Sequence, residues 1–472
     1  MRFDGAAGGP PVGGAVPGGR AAGGAASGGS PADDTGTGRP SADGTGARRR
    51  SAGRAAPGGT APRVGLLLVA IVLVGLNLRA PIVGVPPLIP ALSAELSLTG
   101  SAAGLLTSLP LLCFAVVSPL VVLLVRRVGL DRALLLSLLL LGLATALRPW
   151  GSFGVLLAGT ALVGVAITVG NVLVPIAVRR DAGRRTAVVM AASTSSYGVG
   201  QGVAAVLAVP VANEVGWRSA MALLALPAAV AALGWLLYAR RRGGISASRP
   251  TAPPAPAPAQ PASGSGAPPA GSSHQHTARP PVWRVGDAWW LALFFGLQAA
   301  LFYSASTWLP ALLSAEVGTT DELAGTALSL FHLIGIAGTL AVPLLLRALG
   351  GAVRSGVVIA LAWCAFFVGV AVAPGAWPVL VVLGGLAQGA GIGLGMTLIA
   401  MRPVDADYGR GLSALVQSAG YAVAAVGPVA LGWVHGTSGS WALVMWICAA
   451  GAAVMTLAAV RAGAERPIGA AH

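Results

Sequence analysis

Arg79 lies in the stretch Asn77-Leu78-Arg79-Ala80-Pro81, inside an apolar run from about residue 64 to 92, and between Arg63 and Glu95 no other charged residue occurs. Placing a guanidinium in hydrocarbon costs about 2.5–3.5 kcal/mol on insertion scales and roughly 10–17 kcal/mol in simulations of an isolated helix, so an arginine at that depth is a functional-site hypothesis by default. Its planar fork suits a small planar anion, because two parallel N–H groups match the oxygens of a carboxylate-like or nitrite-like group. The other intramembrane titratable group is His332. An imidazole with an ordinary pKa of about 6.5 is the side chain able to carry a coupling proton; the alternative is a core histidine with both nitrogens satisfied. Asn77, Asn171 and Gln298 are uncharged but costly in lipid, so they face protein or a cavity. Asn77, Asn171 and Gln298 are taken as ligand contacts, with interhelical hydrogen bonding as the other account of the amides. Tyr303 is taken as a wall of the same site, with Tyr197, Trp308 and Tyr421 as further aromatic candidates.

Other chemistries find little support. No CxxC or HExxH spacing occurs, no nucleophile–base set is visible, and Cys113, Cys364 and Cys448 all fall in apolar runs as small buried hydrophobes. No enzyme, cofactor or metal site is expected. All 30 basic residues in the Lys+Arg count are arginines. Without a lysine there is no Walker A loop to reach a terminal phosphate, which argues against an ATP-driven pump.

The elements that must hold these side chains are membrane helices. The 472-residue chain is 55% hydrophobic and only 10% charged, with a mean hydropathy of +0.78; a soluble domain carries about 25% charged residues. Six apolar runs (about 64–92, 102–125, 133–148, 152–178, 187–212 and 219–239) precede six more (about 287–313, 323–346, 352–373, 377–401, 412–435 and 440–460). Each is near the ~20 residues a spanning helix needs. The expected fold is therefore an all-α polytopic membrane protein with twelve transmembrane helices in two six-helix bundles. The first run is longer than a ~30 Å hydrocarbon core at about 1.5 Å per residue, so Arg79 lies either mid-membrane or, with the window shifted, at the outer interface. The prolines after it, Pro81, Pro86, Pro87 and Pro90, free backbone carbonyls that protein or a cavity must satisfy. An Arg79 bonded to freed carbonyls near Pro86 and Pro87 is the packing alternative to a ligand anchor.

The domain pattern reads as residues 1–62, a Gly/Ala/Pro/Ser-rich disordered cytoplasmic tail; 63–239, an N-terminal bundle; 240–285, a disordered cytoplasmic linker; 286–461, a C-terminal bundle; and 462–472, a C-terminal tail. A start codon assigned too far upstream is the alternative account of residues 1–62. The net charge of +15 could suggest nucleic acid, but the arginines cluster at the ends of the apolar runs, as cytoplasmic loops do. That pattern puts both termini and the linker in the cytoplasm and the chain in the cell membrane; Arg148 and Arg218 are placed on the other side. The halves echo each other. Glu95 and Gly104 return at the same offset as Glu316 and Gly325, and that offset carries Asn77 to Gln298; Gly170-Asn171 through Arg179 is echoed by Gly395-Met396 through Arg402. Two parallel repeats around a central midplane site are expected.

Asn77-Leu78-Arg79-Ala80-Pro81 with Pro87-Leu88-Ile89-Pro90 resembles the first helix of the cyanate/nitroimidazole permease branch (CynX/NimT-like) of the major facilitator superfamily. Ala103-Gly104-Leu105-Leu106-Thr107-Ser108-Leu109-Pro110, Gly170-Asn171-Val172-Leu173-Val174-Pro175 and Gly216-Trp217-Arg218 support the resemblance, which spans about 64–461. Ala80 departs from the Asn-Leu-Arg-Pro more usual in the branch. The resemblance implies a monomeric secondary transporter moving a small anion (cyanate- or nitrite-like) or a nitro compound by alternating access, with a coupled proton as an option. Asn77 and Asn171 sit on the first and fourth helices, which line the cavity in that architecture. Gly129, Asp131 and Arg132 resemble part of the superfamily's loop signature between helices 2 and 3, which implies a conformational latch, although the upstream acidic residue is missing. A drug or metabolite exporter on the same fold is the first alternative, but Gly198-Val199-Gly200-Gln201-Gly202 lacks the Gly-Pro signature often found in the fifth helix of such proteins. A non-transporting membrane sensor or scaffold acting through the linker is the second.

Overall fold

The computed structural model describes residues 61–242, 280–464 and 467–469. The expected N-terminal tail and linker therefore lie almost entirely outside the described residues. Among those described there is no strand; the nearest approach is an isolated bridge between Pro403 and Ile468. Eleven helical stretches are long and apolar enough to cross a membrane, and one of them, Gly183–Arg242, is 60 residues long. At about 1.5 Å per residue it could extend to roughly 90 Å, three times the hydrocarbon thickness. It does not run straight. Gly216 has φ 80° and ψ 153°, a left-handed conformation that reverses the chain there. The result is twelve crossings, as the pattern of apolar runs predicts.

Crossing 1 is assembled from Ala61–Asn77, Ala80–Val83, Pro86–Leu88 and Ile89–Leu96. Crossing 2 is Gly100–Val128, crossing 3 Leu130–Leu147 and crossing 4 Phe153–Asp181. Crossing 5 is the part of Thr186–Leu223 before Gly216; the part after it joins Ala225–Arg242 as crossing 6. The second half comprises Gly286–Leu312 with a π turn over Leu313–Val317 (crossing 7), and Asp321–Leu340 with Val342–Ala348 (crossing 8). Ala352–Val372, Trp377–Met401, Ala406–Ser438 and Trp441–Ala462 are crossings 9 to 12.

The halves meet along two seams, crossing 2 against crossing 11 and crossing 5 against crossing 8. These seams are partners under the internal repeat, and the echoed glycines explain why they are close. A Cβ at Gly104 would collide with the Pro428 carbonyl of crossing 11, and one at Gly325 would press on the Ala205 carbonyl of crossing 5. At the arginine-poor face each half sets a glutamate near a tryptophan, with different partners. In the first half, Glu95 accepts from Trp217 Nε1 at 2.5 Å and pairs with Arg218, which lies over the Trp217 ring at 4.4 Å. In the second half, Glu316 and Trp441 line one small cavity, and the His435 ring stacks on Trp441 at 3.8 Å. Hydrogen bonds between the halves include Asn213 Nδ2 to Glu322 Oε1 (2.8 Å) near the arginine-poor face and Thr307 Oγ1 to Thr107 Oγ1 (2.9 Å) below it.

Candidate functional site

Crossing 1 breaks because of Pro81. Proline has no N–H to give the carbonyl four residues back, here that of Asn77, and its ring crowds that carbonyl. The helix tightens instead, with Leu78 N bonding Gly75 O at 3.1 Å, and ends at Asn77. Arg79 takes a non-helical conformation (φ −137°, ψ −27°), and its carbonyl caps a new short turn by accepting from Ile82 N and Val83 N, each at 3.1 Å. The break lies halfway along the crossing. Arg79 therefore sits at mid-depth and does not snorkel to an interface.

From there its side chain spans the two halves. The guanidinium carbon lies 5.3 Å from the ring centre of Phe114 on crossing 2 and 5.7 Å from that of Tyr303 on crossing 7. Nη2 reaches Tyr421 Oη on crossing 11 at 3.5 Å, the long limit of a hydrogen bond. Tyr421 is itself fixed edge-on between Phe114 (5.2 Å) and Phe295 (5.4 Å), and Tyr197 lies within electrostatic reach of Arg79 and Tyr421. No carboxylate pairs with Arg79 among the described residues. Cation–π contacts within about 6 Å offset part of a desolvated cation's cost, about 0.5–2 kcal/mol each. They leave its hydrogen-bond fork unsaturated. Tyr303 is 2% exposed and its hydroxyl has no partner. The site thus presents a cation, one loosely held hydroxyl and one unheld hydroxyl, walled by aromatic faces.

The other expected site residues divide. Asn171 is half-buried on crossing 4, next to Gly170, which packs on Leu78 at the break; no hydrogen bond occupies its side chain among the described residues. Asn77 is not free in the same way: its amide donates to Leu73 O (2.8 Å) and to Pro227 O of crossing 6 (3.0 Å). Gln298 donates to Gln388 O (3.0 Å) and accepts from Trp363 Nε1 (2.8 Å), which fastens crossing 7 to crossings 10 and 9. Gln298 is committed at both ends to joining helices, whereas Asn77 is committed only through its nitrogen, its buried Oδ1 having no partner. Trp308 likewise donates to Pro428 O at 3.0 Å. His332 is 1% exposed, edge-on to Phe302 (5.6 Å) and Phe331 (5.5 Å), and both ring nitrogens lack partners. It is a core position, but not the satisfied core histidine of the alternative reading.

Two residues differ from expectation or escaped it. Phe114 is a wall of the site that nothing in its sequence setting distinguishes from other apolar positions of crossing 2. Arg148, placed by sequence on the arginine-poor face, is buried and donates to the Pro81 carbonyl at 2.7 Å. Arg148 is thus the arginine that donates to a carbonyl at the break, while no bond from Arg79 to the carbonyls near Pro86 and Pro87 occurs among the described residues.

At the arginine-rich face, Gly129 (φ 82°) makes the turn between crossings 2 and 3 and places Asp131 one residue into the next helix. Asp131, 2% exposed, takes Arg180 and Arg242, each at 2.8 Å. Asp181 takes the same two arginines at 2.7 and 2.6 Å and accepts from Tyr238. Crossings 3, 4 and 6 are thereby tied. Arg132 points outward and takes no part; Asp181 supplies the second acid that the loop itself lacks.

The Major Facilitator Superfamily profile matches residues 67–383. The chain is 32% identical over 409 residues to the uncharacterized transporter YycB of Bacillus subtilis (strain 168), covering 85% of this chain and 94% of that one. It is 30% identical over 406 residues to the 2-nitroimidazole transporter of Escherichia coli (strain K12), with coverage of 85% and 96%. With the cyanate transport protein CynX of the same organism it shares 28% over 400 residues, with coverage of 83% and 96%. Among solved structures, a mutant of the nucleoside transporter NupG superposes with a TM-score of 0.65 at 12% identity, covering 84% of this chain and 99% of that one, which is a likeness of fold.

Proposed function

The chain belongs to the Major Facilitator Superfamily, in its CynX/NimT-like branch, and is a membrane transporter, not an enzyme; on that premise we propose that it carries a small planar anion or a nitro compound bound at Arg79. The observation that carries this reading is the mid-depth guanidinium with no carboxylate beside it among the described residues, next to the ring of Tyr303, whose buried hydroxyl has no partner. A planar anion supplies what the site lacks: acceptor oxygens for the fork and the phenol, and a flat face for Phe114 and Tyr421. Asn171 completes the set from crossing 4. A nitro group offers two oxygens in the same geometry with less charge, consistent with the relative named for 2-nitroimidazole, whereas linear cyanate would offer the fork a single terminal acceptor at each end.

Transport proceeds by alternating access, the two bundles rocking about the site. The hydrogen bonds that join the halves at Asn213–Glu322 and Thr107–Thr307 support a state closed toward the arginine-poor face. The positive-inside rule makes the arginine-rich face cytoplasmic, with both termini on that side and the chain in the cell membrane. One chain carries the whole path and acts as a monomer. Where a proton is coupled, His332 carries it, exchanging it as crossings 5 and 8 separate. The Asp131 cluster, with Gly129 as its turn, holds the cytoplasmic end of the first bundle as a unit during that motion.

The test is solute-induced current in proteoliposomes with cyanate, nitrite, nitrate, carboxylates and 2-nitroimidazole, followed by tracer uptake of the same solutes for electroneutral movement. One solute class is expected to respond, and folded Arg79→Gln is expected to lose that response at least a hundredfold. A response unchanged in Arg79→Gln would leave Arg79 as a packing residue.

A further inference from the structure

Arg148 is the second arginine of the first bundle's interior, and the site described above makes no use of it. It follows crossing 3 directly, is 1% exposed, and pairs with no carboxylate among the described residues. Nε and Nη1 have no acceptor, so its one hydrogen bond is the 2.7 Å contact from Nη2 to the Pro81 carbonyl. That carbonyl is available because of the break. In an unbroken helix it would receive Val85 N, but Val85 N bonds Ile82 O instead, at 3.3 Å. A buried carbonyl left without a donor is costly, and a guanidinium is a strong donor to meet it. Crossing 4 makes room for it at Gly159, where a Cβ would run into the Arg148 Cβ. Pro149, the next residue, accepts from Arg218 Nε at 3.1 Å, and Arg218 pairs with Glu95 at the far end of crossing 1. The segment after the break is thus strapped to the bundle at Pro81 and at Glu95.

We propose that Arg148 is a positioning residue: by holding the Pro81 carbonyl it fixes the break in crossing 1, and through the break the direction in which Arg79 projects. The second clause rests on Arg79 being the ligand anchor. The first does not, and the two are read separately.

The experiment compares wild type with Arg148→Leu, Arg148→Gln and Arg148→Lys in nanodiscs by hydrogen exchange, and in proteoliposomes by uptake of labelled cyanate and 2-nitroimidazole. In Arg148→Leu, or in Arg148→Gln should the first not fold, the amides of 82–85 are expected to exchange at least tenfold faster, with crossings 3 and 4 unchanged. KM is expected to rise about tenfold while the maximal rate stays within threefold. Arg148→Lys, which can still donate to Pro81, is expected to restore both. Unchanged exchange at 82–85, or acceleration spread evenly over crossings 1, 3 and 4, overturns the proposal. Faster exchange confined to the break in a protein whose wild type moves neither solute upholds Arg148 as the fastener of the break and counts against the transport reading instead.

Discussion

A guanidinium at mid-depth with no acid beside it among the described residues is unfavourable in the empty protein, and on the function proposed above that cost falls when an anion binds. The same logic applies to the buried, unpartnered hydroxyl of Tyr303, whose ring lies beside Arg79. An unsatisfied buried hydroxyl costs about 1–3 kcal/mol, so its removal should not weaken the unliganded protein. Tyr303→Phe is therefore expected to keep or raise the thermal midpoint, while KM for the transported solute rises about three- to tenfold, the loss of one hydrogen bond of ~1 kcal/mol. Scanning fluorimetry beside tracer uptake checks this; a lower midpoint with KM unchanged would make Tyr303 a packing ring. Arg79 was legible in the sequence because a charge in an apolar run needs a reason. Phe114 was not, because lipid and helix interior are equally apolar and an apolar ring carries no mark of which one it faces. Asn77 and Gln298 show the opposite case. Polarity drew attention to them, but whether an amide meets a ligand or another helix depends on partners such as Trp363 and Pro227, far away in the chain.

At the scale of the element, crossing 1 is a broken helix whose break has a single local cause and several distant supports. Pro81 removes the donor for Asn77, Arg79 O caps the new turn, and Arg148 takes the carbonyl that results. The proline pattern announces that carbonyls will be freed. It does not say which side chain answers them, and the answer comes from the end of crossing 3, from a residue that reads as a loop arginine. Replacing the cause tests the element. Pro81→Ala returns an N–H to the Asn77 carbonyl and a good helix former to the position. The helix is then expected to continue through Leu78 and Arg79 and turn the guanidinium away from Phe114 and Tyr303. Uptake should fall at least tenfold while the thermal midpoint does not fall. Full uptake in this variant would mean that Arg79 reaches its ligand without the break.

For the whole molecule, the internal repeat decides where the halves touch. Gly104 and Gly325, recognisable in sequence only as echoed positions, are two places where backbones of opposite bundles come close, one on each seam. Above them the Glu95–Trp217–Arg218 cluster lies within the first bundle and the His435–Trp441 stack within the second, so neither crosses a seam. In this arrangement Asn213 of crossing 5 and Glu322 of crossing 8 are 2.8 Å apart near the arginine-poor face. Alternating access requires that contact to break once in every cycle. With Cys113, Cys364 and Cys448 replaced by serine or alanine, Asn213→Cys and Glu322→Cys joined by a short dithiol-reactive linker should hold this face shut. Uptake is expected to drop below a tenth of that of the unlinked double variant and to recover when the linker is cleaved. Either single cysteine treated with the same reagent should retain its rate. If the doubly substituted protein is fully cross-linked, shown by the mobility of a chain nicked in its linker, and still transports at its unlinked rate, then crossings 5 and 8 do not separate at this face and the rocking of the two bundles is refuted.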